Sequence, residues 1–193
     1  MTIIFATSNK GKLREAREIL TECEVLAGAG VEVIEDGETF MENAVKKAVE
    51  FARELGKPVI ADDSGLEVDF LNKEPGVRSA RWLGEGTPYE VKNAEILRLL
   101  AGVEGEGRSA RFVCAAAYAE PGGRVITAEA SAEGVIHDRI AGGGGFGYDP
   151  IFYVPGRGRT TAEMSPEEKN KISHRGKALR ELAGKLRAAG VFS

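Results

Sequence analysis

Apolar and polar positions along the chain switch repeatedly between the period of a strand and that of a helix. Ile3-Ile4-Phe5-Ala6 is a short apolar run that predicts a buried strand, and Leu13, Ala16 and Leu20 follow at helical spacing. A second strand is predicted over residues 31–34. Thr39 with Glu42 three places on forms a capping box, and Met41, Ala44, Val45, Ala48, Ala52 and Leu55 form the apolar stripe of the helix behind it. Gly56 and Pro58 end that helix. Residues 58–61 predict a buried strand, and Asp62-Asp63-Ser64-Gly65 predicts a turn. Beyond it Leu66, Val68 and Phe70 alternate with Glu67 and Asp69. Thr87-Pro88-Tyr89-Glu90 starts a helix with Pro88 at the first helical position, and Gly102 closes it. Residues 111–119 and 124–132 predict strands joined in a hairpin at Glu120-Pro121-Gly122-Gly123, with further short strands at 135–136 and 151–154. Ser165-Pro166 opens a helical tail carrying Ile172, Leu179, Leu182 and Leu186, with a break and a fresh cap at Ser173. Strand–helix units followed by a hairpin predict an α/β fold with a mixed sheet. No repeat or long linker divides the chain, so residues 1–193 are expected to form one domain.

Composition narrows the possibilities. A 193-residue chain hides roughly 70% of its unfolded surface, so it needs no disulfide staple. Hydrophobic residues make up 42% and charged residues 29%, an ordinary globular balance. The 26 basic and 30 acidic residues leave a net charge of −4, so no domain-wide basic field exists and no nucleic-acid partner is expected. The longest apolar run, residues 112–119, is eight residues long. A membrane helix needs ~20, and residues 3–6 have no basic residue ahead of them, so neither a membrane span nor a secretory signal is expected. Cys23 and Cys114 lie far apart and only two histidines are present, which argues against a zinc site. Any metal would be held mainly by carboxylates, which favours magnesium or manganese.

Five segments carry candidate chemistry. Thr7-Ser8-Asn9-Lys10-Gly11-Lys12 lies between a predicted strand and helix, where backbone N–H groups and a lysine suit phosphate. It is not a Walker loop, because Ala6 and Leu13 stand where glycine and Ser or Thr are needed; the plain alternative is an ordinary strand-to-helix turn. Asp62-Asp63-Ser64-Gly65 sets two carboxylates at the end of an apolar strand. Successive side chains point to opposite faces, so one of the pair is expected to face a metal, and the alternative is an Asx-type turn. Glu35-Asp36 offers a second carboxylate. Gly142-Gly143-Gly144-Gly145-Phe146-Gly147-Tyr148-Asp149-Pro150 is the most unusual stretch, since four glycines cost backbone entropy and contribute no packing. Close approach to a ligand would account for them, with Phe146 stacking on a flat base and Asp149 accepting from its ring N–H groups. The alternative is a flexible loop whose aromatics return to the core. Lys169-Asn170-Lys171-Ile172-Ser173-His174-Arg175 suits phosphate or a carbonyl oxygen, or else is a solvated charge run. His137 is given no role.

Together these segments resemble the inosine triphosphate pyrophosphatase family, the non-canonical purine nucleoside triphosphate pyrophosphatases. The resemblance rests on Ile3 through Lys12, Thr39-Phe40-Met41-Glu42-Asn43-Ala44, Ile60 through Leu66 and Ser79-Ala80-Arg81-Trp82. It continues with Gly145 through Phe152, Ala162-Glu163-Met164 and Ile172-Ser173-His174-Arg175. These motifs span nearly the whole chain in order. The resemblance implies an elongated mixed β-sheet flanked by helices, with two lobes and the active cleft between them. It also implies a cytosolic homodimer that uses Mg2+ to convert a purine nucleoside triphosphate into monophosphate and pyrophosphate. By position, Thr7, Ser8, Asn9, Lys10, Gly11 and Lys12 correspond to the triphosphate cradle. Asp63 corresponds to the catalytic carboxylate that also meets the metal, with Glu35 as the second metal ligand. Ser64 would touch substrate, Lys47, Lys169, His174 and Arg175 would contact phosphate or base, and Phe146, Gly147, Tyr148 and Asp149 would form the base pocket. His174 or Arg175 is expected to donate to the carbonyl oxygen that distinguishes inosine and xanthosine from adenosine. Two other readings compete: a related house-cleaning pyrophosphatase for pyrimidine or other modified nucleotides, and a nucleotide-binding module without turnover. A pure phosphate binder gains nothing from Asp62 and Asp63 beside its ligand.

Overall fold

The N-terminal apolar run forms β1 (Thr2–Ala6), with Ile3, Phe5 and Ala6 buried. α1 (Lys10–Ile19) follows, and β2 (Glu24–Ala27) then lies parallel to β1, pairing Thr2 with Glu24 through Phe5 with Ala27. The computed structural model describes residues 1–192. Within them, residues 31–34 are not a strand, contrary to the sequence expectation, and Ile34 is 75% exposed. The reason is register. Glu24 N–H donates to the Met1 carbonyl as the chain leaves α1, so the earlier segment takes one flank of β1. β3 (Val59–Val68) takes the other, also parallel, and no ladder on β1 remains for residues 31–34. α2 (Phe40–Leu55) keeps the predicted capping box at Thr39 and Glu42 and ends at Gly56 with φ 60°.

β3 runs straight through Asp62-Asp63-Ser64-Gly65, so the expected turn is absent. α3 (Tyr89–Leu99) has Pro88 as its cap residue, one place earlier in role than expected. β4 (Ser109–Ala119) and β5 (Val125–Ile136) are joined by a tight turn in which Glu120 N–H donates to the Arg124 carbonyl at 3.0 Å. Residues 135–136 belong to the end of β5. β6 (Phe152–Val154) pairs antiparallel with β5 and with β7 (Arg159–Thr160). α4 (Pro166–Ile172) breaks where predicted, and Ser173 caps α5 (His174–Ala188) by accepting from Gly176 N–H at 3.0 Å. The strand order β2-β1-β3-β4-β5-β6-β7 makes an open mixed sheet, as the α/β reading required.

The chain divides into two compact units. The first comprises Met1–Ser64, Cys114–Ser131 and Ser173–Ser193, and the second Gly65–Val113 and Ala132–Ile172. In the first, Phe5, Leu20, Ile60, Tyr118, Leu179 and Leu182 pack one apolar core, which joins α1 and α5 to the strands. In the second, Leu66, Ile96, Leu100, Phe112, Ile136 and Phe152 pack another. No helix among the described residues is long and apolar enough to cross a membrane.

The glycine run lies in the second unit, and its backbone packs against backbone. Gly142 has φ 82°, and a Cβ there would lie 2.6 Å from the Ala162 carbonyl carbon; Gly144 N–H donates to the Ala162 oxygen at 2.9 Å. Gly145 has φ 69°, and a Cβ there would collide with an Asp149 carboxylate oxygen. The packing of the chain itself therefore accounts for Gly142 and Gly145. Gly143 is different: nothing surrounds its Cβ position and its φ is not left-handed. Gly145→Ala is expected to lower stability by about 2 kcal/mol or more, whereas Gly143→Ala should be neutral or slightly stabilising. Urea unfolding midpoints of the two variants distinguish them.

Candidate active site

Asp62 sits in the middle of β3 and is fully buried. Its Oδ2 accepts from Arg175 Nε at 3.0 Å and pairs with Lys12 Nζ at 3.1 Å. Arg175, at the start of α5, also donates through Nη1 to Glu15 Oε2 at 2.5 Å and through Nη2 to Ser64 Oγ at 2.7 Å. Asp62 and Ser64 stand two residues apart and so share a face of the pleat, which lets one planar guanidinium meet both. Two carboxylates, Glu15 and Asp62, thus meet two cations, Lys12 and Arg175, and the buried cluster is charge-balanced. Burial alone would raise the Asp62 pKa, but Lys12, Arg175 and Lys47 outweigh it and hold the carboxyl well below the usual range. All these contacts converge on Oδ2; the buried Oδ1 has no hydrogen-bond partner among the described residues.

Asp63 takes a separate partner from α2, as the pleat requires. Its Oδ2 accepts from Asn43 Nδ2 at 3.0 Å, and its Oδ1 accepts from Ser64 N–H at 2.9 Å. Burial raises its pKa, Glu35 adds to the rise, and Lys12, Lys47 and the Asn43 bond only partly oppose it. Lys47, one turn beyond Asn43, donates to Glu35 Oε1 at 2.7 Å. Burial would lower the Lys47 pKa, yet Asp62, Glu35 and Asp63 together raise it. Among the described residues no group of three or more His, Cys, Asp or Glu side chains converges as a metal cage. The Asp63–Glu35 pair is a hard-oxygen donor set too small for zinc or a closed calcium site. It fits a cation that completes its shell with water and phosphate oxygens, as magnesium does.

The Thr7 to Lys12 loop is more self-contained than expected. Asn9 Oδ1 accepts from Gly11 N–H at 2.8 Å and Lys12 N–H at 3.2 Å, while Thr7 Oγ1 accepts from Asn9 N–H at 3.1 Å. Two of the backbone donors expected to cradle phosphate are thus already used in capping α1. Ser8 and Lys10 are exposed, and Lys12 turns inward to Asp62.

In the second unit, Asp149 builds the loop that carries Phe146. Its Oδ2 accepts from Phe146 N–H at 2.8 Å and Lys169 Nζ at 2.6 Å, and its Oδ1 from Thr161 Oγ1 at 2.8 Å. With 1% exposure and both oxygens engaged, Asp149 is a buttress in this structure, not the open acceptor anticipated for a base. Lys169 Nζ stands 4.5 Å from the centre of the half-buried Phe146 ring. Asn93 Nδ2 donates to the Gly147 carbonyl at 3.1 Å. Tyr148 returns to the core, donating to the Ser79 carbonyl at 2.8 Å and meeting Tyr89 edge-on. Lys169, His174 and Arg175 are all buried, so their segment is no solvated charge run. Lys169 belongs to the second unit, and His174 and Arg175 to the first.

Glu15 and Asn43 have no assigned role in the sequence reading. Each left a signal, a polar residue on the buried face of an amphipathic helix: Glu15 beside Ala16, and Asn43 beside Ala44.

A family model described as the Ham1 family matches residues 3–185. The chain is 51% identical over 187 residues to a protein of Desulforamulus reducens named dITP/XTP pyrophosphatase, covering 94% of this chain and 93% of that protein. A protein of the same name from Thermus thermophilus is 48% identical, covering 94% and 90%. Among solved structures, a HAM1 protein from Coxiella burnetii superposes with a TM-score of 0.87 at 39% identity, covering 97% of this chain and 99% of that one.

Removing one member of the buried cluster strands another. Glu15→Ala is expected to cost about 3 kcal/mol, seen as a lower urea midpoint at unchanged slope. Because the Asp62 pKa is depressed by folding, its contribution to stability is present above about pH 4 and is lost as pH falls toward the folded value. The urea midpoint should therefore fall on acidification through that window.

Proposed function

The chain belongs to the Ham1 family, and on that premise we propose that it is a pyrophosphatase acting on dITP, ITP and XTP. Its products are the nucleoside monophosphate and pyrophosphate. One observation carries this reading: in a chain about half identical to proteins named for that activity, Glu35 pairs with Lys47, Lys12 pairs with Asp62, and the charges of both lysines act on the Asp63 carboxylate. A simple anion-binding site would not carry this acidic pair, whereas hydrolysis of the α–β phosphoanhydride calls for a base near the phosphorus that water attacks.

The roles follow from the contacts. A triphosphate brings about four negative charges, and Lys12 and Lys47 can shift from Asp62 and Glu35 onto its oxygens. Asp62 stays compensated by Arg175 when Lys12 moves, so the strand keeps its geometry. Asp63 holds its proton more tightly than an ordinary carboxylate, which suits a general base that takes a proton from water attacking the α-phosphorus. Asp63 and Glu35 are the residues that would hold Mg2+, which when bound neutralises phosphate charge and acts as a Lewis acid. Thr7, Ser8 and Lys10 remain candidates for the phosphate chain, with Asn9 and Gly11 shaping their turn.

At the base end, Phe146 offers a ring face and Lys169 lies over that ring. His174 is assigned as the donor to the carbonyl oxygen at C6. Arg175 is held in place by its bonds to Asp62, Glu15 and Ser64. An adenine amino group facing a buried donor leaves that donor unpaired, and such a site can discriminate by ~10⁴. Ser64 acts through Arg175 and Asp62. We take the enzyme to work as a cytoplasmic homodimer.

Product analysis with inosine triphosphate and Mg2+ tests the reading: pyrophosphate is expected, and orthophosphate would mean a different reaction. Equal rates with inosine, guanosine and thymidine triphosphates would remove the purine-carbonyl assignment. Asp63→Asn should fold and bind substrate while losing turnover by orders of magnitude. Lys12→Ala should mainly raise KM, and a change confined to base preference would overturn its assignment to phosphate.

A further inference from the structure

Asn43 bonds to Asp63 and also to the backbone two residues beyond Glu35. We propose that Asn43 is a positioning residue for the cation-binding carboxylates: its side-chain amide, held between the Gly37 N–H and Asp63 Oδ2, sets the spacing of Glu35 and Asp63. This inference rests on the assignment of those two carboxylates as the divalent-cation pair.

The orientation of the amide has one solution. Asn43 Oδ1 accepts from Gly37 N–H at 2.8 Å, so Nδ2 must face Asp63, where it donates at 3.0 Å. The flipped amide would set oxygen against carboxylate and N–H against N–H. Asn43 is 1% exposed, so water does not compete for either bond. The loop is pressed closely onto this amide, since a Cβ at Gly37 would lie 2.8 Å from Asn43 Oδ1. One turn further along α2, Lys47 secures Glu35 itself. Helix capping does not explain Asn43. Thr39 and Glu42 already perform it, with Glu42 Oε2 accepting from the Glu38 and Thr39 N–H groups. The Asn43 amide instead joins a loop to a strand, and each carries one member of the acidic pair. Partners that orient a metal ligand typically change metal affinity or activity 10–100-fold when removed.

The test uses the full chain and Mn2+ alone, followed by electron paramagnetic resonance without nucleotide, alongside the Mg2+ concentration for half-maximal pyrophosphate release. Asn43→Ala is expected to weaken Mn2+ binding and to raise the Mg2+ requirement, each about 10–100-fold, with KM for nucleotide at saturating Mg2+ changed less than about threefold. Gly37→Ala, which displaces the loop without touching Asp63, should weaken Mn2+ binding in the same direction. Thr39→Ala serves as the structural control: it should lower thermal stability and leave Mn2+ affinity at the parent value. The inference is overturned if Asn43→Ala binds Mn2+ within about twofold of the parent, or if Thr39→Ala reproduces its loss. Mn2+ binding lost in Asp63→Asn but kept in Asn43→Ala sinks this inference alone. A parent chain that binds no Mn2+, or binds it equally after Asp63→Asn, overturns the carboxylate-pair assignment and this inference with it.

Discussion

A carboxylate buried in the middle of a strand is the constraint on which the first unit is built. Asp62 would be too costly to bury ionised without compensation, since the effective penalty for one ion is several kcal/mol. Arg175 supplies that compensation from α5, Lys12 from α1, and Glu15 balances the remaining guanidinium charge. The pair therefore does mechanical as well as electrostatic work. It pins the beginnings of two helices against one point of β3, in a region whose apolar core already holds those helices to the strands. Because Asp62 is committed to that side, Asp63 projects to the other, where α2 receives it.

The way α2 receives it depends on how the helix is phased. The capping box at Thr39 and Glu42 sets where the helix begins, and the left-handed Gly56 sets where it stops. Between them, rotation about the axis is decided by Phe40, Ala44, Ala48, Phe51 and Ala52, all buried. Small alanines on this face allow the helix backbone to approach closely, and Asn43 and Lys47 then reach Asp63 and Glu35. A stripe that looks merely hydrophobic thus carries two polar side chains to fixed positions.

The second unit solves a different problem, that of holding an aromatic ring on a glycine-rich loop. Asp149 gathers a backbone N–H, an ammonium and a hydroxyl from three separate segments, and the glycines let the chain fold tightly around it. Gly142, Gly144 and Gly145 are each packed against neighbours within the unit, whereas Gly143 is not. Tyr148 anchors the far end of the loop in the core, whereas Phe146 is only half-buried.

Local signals in the chain were sufficient for the elements whose causes are local. The helix at Phe40–Leu55, the break at Ser173, the turn at residues 120–124 and the alternation of strands and helices follow from caps, glycines and periodicity, each acting over a few residues. The ordered motifs likewise pointed to the family, because they are read one residue at a time. Competition between distant segments was not legible. Residues 24–27 and 31–34 both suit a strand, and only the geometry after α1 decided which lies beside β1. Asp62-Asp63-Ser64-Gly65 has the composition of a turn, and only partners from three helices made it the middle of a strand. The same holds for Arg175 and Asp149, whose types suit a ligand but whose charges also meet partners within the protein itself. Propensity and spacing act along the chain, whereas the pairing of buried charges acts through space. Tertiary structure alone determines which charges meet.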